Sequence, residues 1–86
     1  MKLNRVAITG LGIVCANGNN LEDTWKSIVK GEPGISKIEN TPVADLAVQI
    51  AGEVKNFTLS SEILREREQP RYDKFIHYAL SAGHEA

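Results

Sequence analysis

The chain cannot form a disulfide on its own, because it holds one cysteine, Cys15, and a single thiol has no internal partner. That usage fits a reducing compartment, so cytoplasmic residence is the expectation. Charge of one sign is also missing. Ten basic side chains face eleven acidic ones, a formal net charge of −1, and no basic tail suggests a nucleic-acid partner. No apolar run is long enough to cross a bilayer. Lys2 and Arg5 do precede an apolar stretch over residues 6–16, in the manner of a secretory signal. Thr9, Gly10 and Gly12 interrupt that stretch, and Val14 before Cys15 suits a lipoprotein cysteine poorly. There is no internal repeat and no low-complexity segment. What remains is 86 residues of ordinary apolar content, enough for one small domain with little margin.

The pattern along the chain is α/β. Residues 5–11 are β-branched and apolar without helical spacing, which predicts a strand covered on both faces. Gly10, Gly12, Asn17 and Gly18 then supply turn chemistry. Asn20 is placed to cap a helix over 21–30, with Glu22 and Asp23 in its first turn and Lys30 in its last. Leu21, Trp25, Ile28 and Val29 form its apolar stripe, Gly31 is its C′ residue and Pro33 bars continuation. Residues 33–45 read as a loop, 48–54 as a second strand, and a Ser60 or Ser61 cap predicts a short helix through Arg67. A long helix then runs from Arg71 to Ala86. No stop signal marks its end, so it is expected to continue beyond residue 86. Two strands do not make a self-sufficient sheet. The chain therefore reads as a piece of a larger unit, with exposed apolar faces that would favour self-association.

The chemistry-bearing motifs are modest. Gly10-x-Gly12 after a strand invites a dinucleotide-binding reading, but Cys15 occupies the third position and residues 17–20 delay the helix. A turn requiring close backbone packing explains the glycines better. Cys15 lies ahead of the helix between Val14 and Ala16, which favours a buried packing residue over a nucleophile. His77 and His84 sit seven residues apart on one helix, roughly ten ångströms. That is too far for one metal, and an Asp73–His77 surface pair is the alternative. Arg65, Arg67, Arg71 and Lys74 make a basic stretch interleaved with Glu62, Glu66 and Glu68. Read from the residues alone, it is a solvated helix face with intrahelical pairs or a docking edge for an acidic partner.

Four blocks share an order with one family. They are Arg5-Val6-Ala7-Ile8-Thr9-Gly10-Leu11-Gly12 with Asn17-Gly18, then Thr24-Trp25-Lys26 with Gly31-Glu32-Pro33-Gly34-Ile35. Ala51-Gly52-Glu53-Val54-Lys55-Asn56-Phe57 and the run from Arg67 to Ala79 follow. Together they resemble the opening of the β-ketoacyl-acyl carrier protein synthases. The resemblance implies the thiolase-like fold, layered α-β-α-β-α, of which residues 1–86 would be an incomplete N-terminal portion. It implies a cytoplasmic acyltransferase, without metal or other cofactor, that extends acyl chains by decarboxylative condensation in fatty acid or polyketide synthesis. Partners would be acyl carrier protein and a second subunit, in a homodimer or a ketosynthase-like heterodimer, with neither nucleic acid nor membrane. None of the family's catalytic residues maps onto this chain, so the 86 residues alone are expected to be inactive. Arg67 and Arg71 match positions where relatives receive the acidic carrier protein, with Lys74 and Arg65 as neighbours; Pro70 stands where a further basic residue is common. A non-catalytic, chain-length-factor-like homologue shares the same opening and is the alternative parent.

Overall fold

Asn20 starts the first helix as its chemistry dictates. Its backbone is extended (φ −153°, ψ 172°) and its side-chain oxygen accepts the Asp23 N–H at 2.8 Å. Helix α1 spans Leu21–Lys30. At its end Gly31 adopts the left-handed conformation (φ 73°, ψ 25°). The Gly31 and Glu32 amides donate back to the Ile28 and Ser27 carbonyls, each at 3.0 Å. This closes the helix with a paired C-terminal motif. The computed structural model describes residues 3–86. After α1 come β1 (Ile35–Lys37), β2 (Ile50–Gly52), a short 3-10 turn at Gln69–Arg71 and α2 (Lys74–Glu85).

β1 and β2 pair antiparallel, with Ile35 opposite Gly52, Ser36 opposite Ala51 and Lys37 opposite Ile50. The expected strand over 48–54 is thus present but short, and its partner lies inside the stretch read as a loop. That partner was hidden because three residues between Pro33 and Pro42 are too few to show a period of two. The second helix begins at Lys74, not Arg71. Pro70 is accommodated in the 3-10 turn, and Asp73 (φ −67°, ψ 160°) breaks the backbone before α2.

Two expectations are overturned among the described residues. Residues 5–11 are not a strand: they run without regular pairing, and Val6 and Ile8 are 87% and 80% exposed. A strand needs a neighbour to take its amides and carbonyls, and β1 and β2 pair only with each other. The helix predicted over 60–67 is a succession of turns. Ser60 does accept the Glu62 N–H through its hydroxyl at 3.2 Å, but the ladder is not propagated.

Burial is correspondingly thin. Leu59 is the buried apolar residue, while Thr24 and Ser27 are the buried positions of α1. The apolar stripe of α1 faces outward, with Trp25 65% exposed. The helix is rolled this way because its polar side serves the turn beside it. Cys15 and Gly18 exchange backbone hydrogen bonds at 2.9 and 3.2 Å. Asn17 Nδ2 then donates to Ser27 Oγ at 3.2 Å and to the Glu32 carbonyl at 3.0 Å.

The accessible surface is 7271 Å². A compact monomer of this mass exposes about 5000 Å². The radius of gyration is 16.5 Å, against about 12 Å for a compact domain of this length. Both quantities describe elements set in an open arrangement around little core.

Candidate docking edge

The basic stretch is placed by a brace that the sequence does not advertise. Gln69 Nε2 donates to the Leu59 carbonyl at 3.2 Å and to the Leu64 carbonyl at 2.9 Å, so one amide ties both ends of the preceding loop. The Gln69 carbonyl in turn lies 2.8 Å from His77 Nε2. A carbonyl can only accept, so this ring nitrogen carries the hydrogen. His77 is therefore engaged by the 3-10 turn, not by Asp73, and the expected Asp73–His77 pair is absent. Phe57 and Tyr78 pack edge to face, with centroids 5.0 Å apart at 88°, and hold α2 against the chain leaving β2.

On this frame Arg65, Arg67, Arg71 and Lys74 are all exposed. The two ion pairs among the described residues are Lys26–Glu22 at 3.0 Å and Lys55–Glu39 at 3.8 Å, so neither engages these four. The intrahelical pairs that would make the stretch bland need a helix over 60–67, and there is none. Lys74 also borders a cleft of about 340 Å³ with Asn56, Thr58, Gln69, His77 and Tyr78. The geometry offers four cationic heads without protein counter-charges, on a turn fixed from behind. It can receive carboxylates or phosphates on a partner's surface.

The other candidates resolve differently. Cys15 is half-buried, less than expected, and its sulfur lies 3.6 Å from Thr24 Oγ1. Lys55, across the neighbouring hollow, turns its ammonium to Ser36 Oγ at 2.7 Å. Gly10 and Gly12 do not form a phosphate-binding turn. They pass over the end of α2, where a Cβ on Gly12 would run into the Ala82 carbonyl oxygen and one on Gly10 into that of Ala86. Close backbone packing is thus the reason for both glycines, though along a segment without regular structure instead of a turn. The first amide of α1, where a nucleotide phosphate would sit, is taken by the Glu85 carboxylate. Among the described residues no three His, Cys, Asp or Glu side chains gather as a metal site. Among the described residues no helix is long and apolar enough to cross a membrane. Gln69 and Glu85 are the positions that sequence reasoning missed. Each is an ordinary polar residue whose partners lie in other segments.

These features define an α/β segment with an exposed cationic edge, and comparison with known proteins gives its family. The chain belongs to the β-ketoacyl synthase N-terminal domain family, whose model matches residues 3–86. It is 36% identical over 86 residues to 3-oxoacyl-[acyl-carrier-protein] synthase 2 of Synechocystis sp., covering 100% of this chain and 20% of that protein. It is 40% identical over 82 residues to the synthase 2 of Staphylococcus aureus, covering 95% and 20%. The corresponding Vibrio harveyi protein is 34% identical over 86 residues, again covering 100% and 20%. The chain thus spans about a fifth of the length of the curated relatives it matches.

Proposed function

We propose that these residues are the opening segment of a β-ketoacyl-acyl carrier protein synthase and supply part of its carrier-protein docking edge. The parent would be a cytoplasmic, dimeric acyltransferase of thiolase-like, α-β-α-β-α architecture. It would lengthen acyl chains by decarboxylative condensation of acyl and malonyl thioesters in fatty acid or polyketide synthesis. The family match and the relatives' names support this reading. So does the exposed apolar surface around Trp25 and residues 3–11, which further protein would cover. No residue here is assigned a catalytic role. A condensing nucleophile needs a thiolate lowered in pKa by a helix N-terminus or a cation. Cys15 precedes α1 by several residues, and the ammonium across its hollow is committed to Ser36.

The observation that carries the docking assignment is the set of four exposed cations, Arg65, Arg67, Arg71 and Lys74, free of ion pairs among the described residues. Opposed to an acidic carrier they would steer encounter and set orientation, with strong dependence on salt. The test is an NMR titration of the chain with acyl carrier protein. Shifts should centre on residues 65–74 and shrink as salt rises. Joint Arg67→Glu and Arg71→Glu substitution should abolish them. Shifts elsewhere, or shifts that survive the double reversal, would overturn the assignment.

A further inference from the structure

The last turn of α2 is fastened to two stretches that lie far from it in sequence. Glu85 Oε1 accepts the Ile13 N–H at 3.1 Å. Its two oxygens also accept the Leu21 N–H at 3.1 and 3.0 Å. Leu21 is the first residue of α1, so its amide has no partner within the helix and lies at the positive end of the helix dipole. A second observation falls at the same place. The chain over Gly10 and Gly12 lies so close to the Ala86 and Ala82 carbonyls that a side chain on either glycine would collide with them. One carboxylate thus takes up amides from two segments, and the segment that ends at Ile13 passes over α2 without room for a Cβ.

We propose that the N-terminus of α1 is an anion site that the chain fills with its own Glu85, and that this carboxylate is the clasp seating the N-terminal segment and α1 on α2. The segment over residues 3–11 has no regular pairing of its own, so its placement depends on what happens at residues 10–13. The glycines permit the close approach, and Glu85 supplies the attraction and the register. An internal carboxylate thus stands where an external phosphate would bind.

The test is amide hydrogen exchange on the full 86-residue chain, read at Ile13 and Leu21. In Glu85→Ala both amides should exchange about tenfold faster or more, as expected for losing a hydrogen bond to a charged acceptor. His84→Ala, one residue away, should leave them unchanged. Glu85→Gln keeps one acceptor oxygen and loses the charge, so it should fall between. Formate added to Glu85→Ala should restore protection at both amides beyond what chloride does at equal ionic strength, because a small carboxylate can enter the vacated site. Unchanged exchange at both amides in Glu85→Ala would overturn the proposal, as would formate acting no better than chloride. If Glu85→Ala loses its helical signal altogether, Glu85→Gln decides. Selective loss of protection at Ile13 and Leu21 supports the clasp, and wild-type exchange at both refutes it.

Discussion

Replacing glycine with alanine should stabilise this chain at one position and destabilise it at two others, for three different physical reasons. Gly83 lies within α2, and a methyl group there would meet nothing within 4 Å. Alanine should therefore gain the full helix-propensity difference, about 1 kcal/mol. Gly31 also has open space around it, but it holds φ 73°. Its substitution should cost about 1 kcal/mol through backbone conformation alone. Gly12 has an ordinary backbone and no room: its methyl would collide with the Ala82 carbonyl. That oxygen belongs to a helical backbone that cannot yield alone, so the N-terminal segment must lift. Overpacking of this kind costs about 1–3 kcal/mol, and the Glu85 hydrogen bond to Ile13 is strained with it. For a chain of this size each kcal/mol moves a melting midpoint by about 4–8 °C. Thermal melts followed by far-UV circular dichroism should thus order the variants as Gly83→Ala above wild type, then Gly31→Ala, with Gly12→Ala at or below it. Gly12→Ala melting at or above wild type would refute the packing argument. Gly83→Ala melting below wild type would refute the helix argument.

Further predictions follow from single contacts. Asn20→Ala should reduce stability by about 1 kcal/mol, with Asn20→Asp recovering only part of it. Asp keeps an oxygen for the Asp23 amide but loses the Nδ2 donor that reaches the Asp23 carboxylate at 3.1 Å, and it places like charges together. The hydrogen bond and charge of Glu22 hold the Lys26 ammonium above the ordinary lysine value of 10.5. A lysine raised in this way contributes its pairing below 10.5 and loses it as pH climbs through the higher folded-state value. Glu22→Gln should bring the Lys26 titration, followed by NMR, back toward 10.5. Cys15 should take no acyl group from a labelled acyl thioester; acylation there would contradict its reading as a packing residue.

Local signals were legible in the sequence wherever one residue decides a backbone event. Asn20, Gly31 and the dipole-matched charges between them mark α1 to the residue. The start of α2 shifted by three residues because Pro70 was tolerated in a 3-10 turn, which a helix-breaking rule does not anticipate. The strand expected over 5–11 failed for a non-local reason: β-branched composition creates a strand only where another strand accepts its hydrogen bonds. The roll of α1 has a related cause. Its stripe of Leu21, Trp25, Ile28 and Val29 is plain in the sequence, but which face is covered is set by the nearest structure, the polar turn at Cys15–Gly18, which selects Thr24 and Ser27. At the basic edge the four cations were visible by composition, but their freedom from ion pairs was not. It depends on turns replacing a helix over 60–67 and on the Gln69 brace, both set by long-range contacts.

The proposed role of these residues is the front of a condensing synthase. The most direct measurement is a graft in which this chain replaces the first fifth of the Staphylococcus aureus synthase 2 and the product is assayed for condensation of acyl and malonyl carrier-protein thioesters. A folded graft should condense them, with a raised KM for the carrier-protein substrate and an unchanged kcat once Arg67 and Arg71 are both reversed to glutamate. A folded graft that shows no condensation, or one whose KM ignores the reversal, would contradict it.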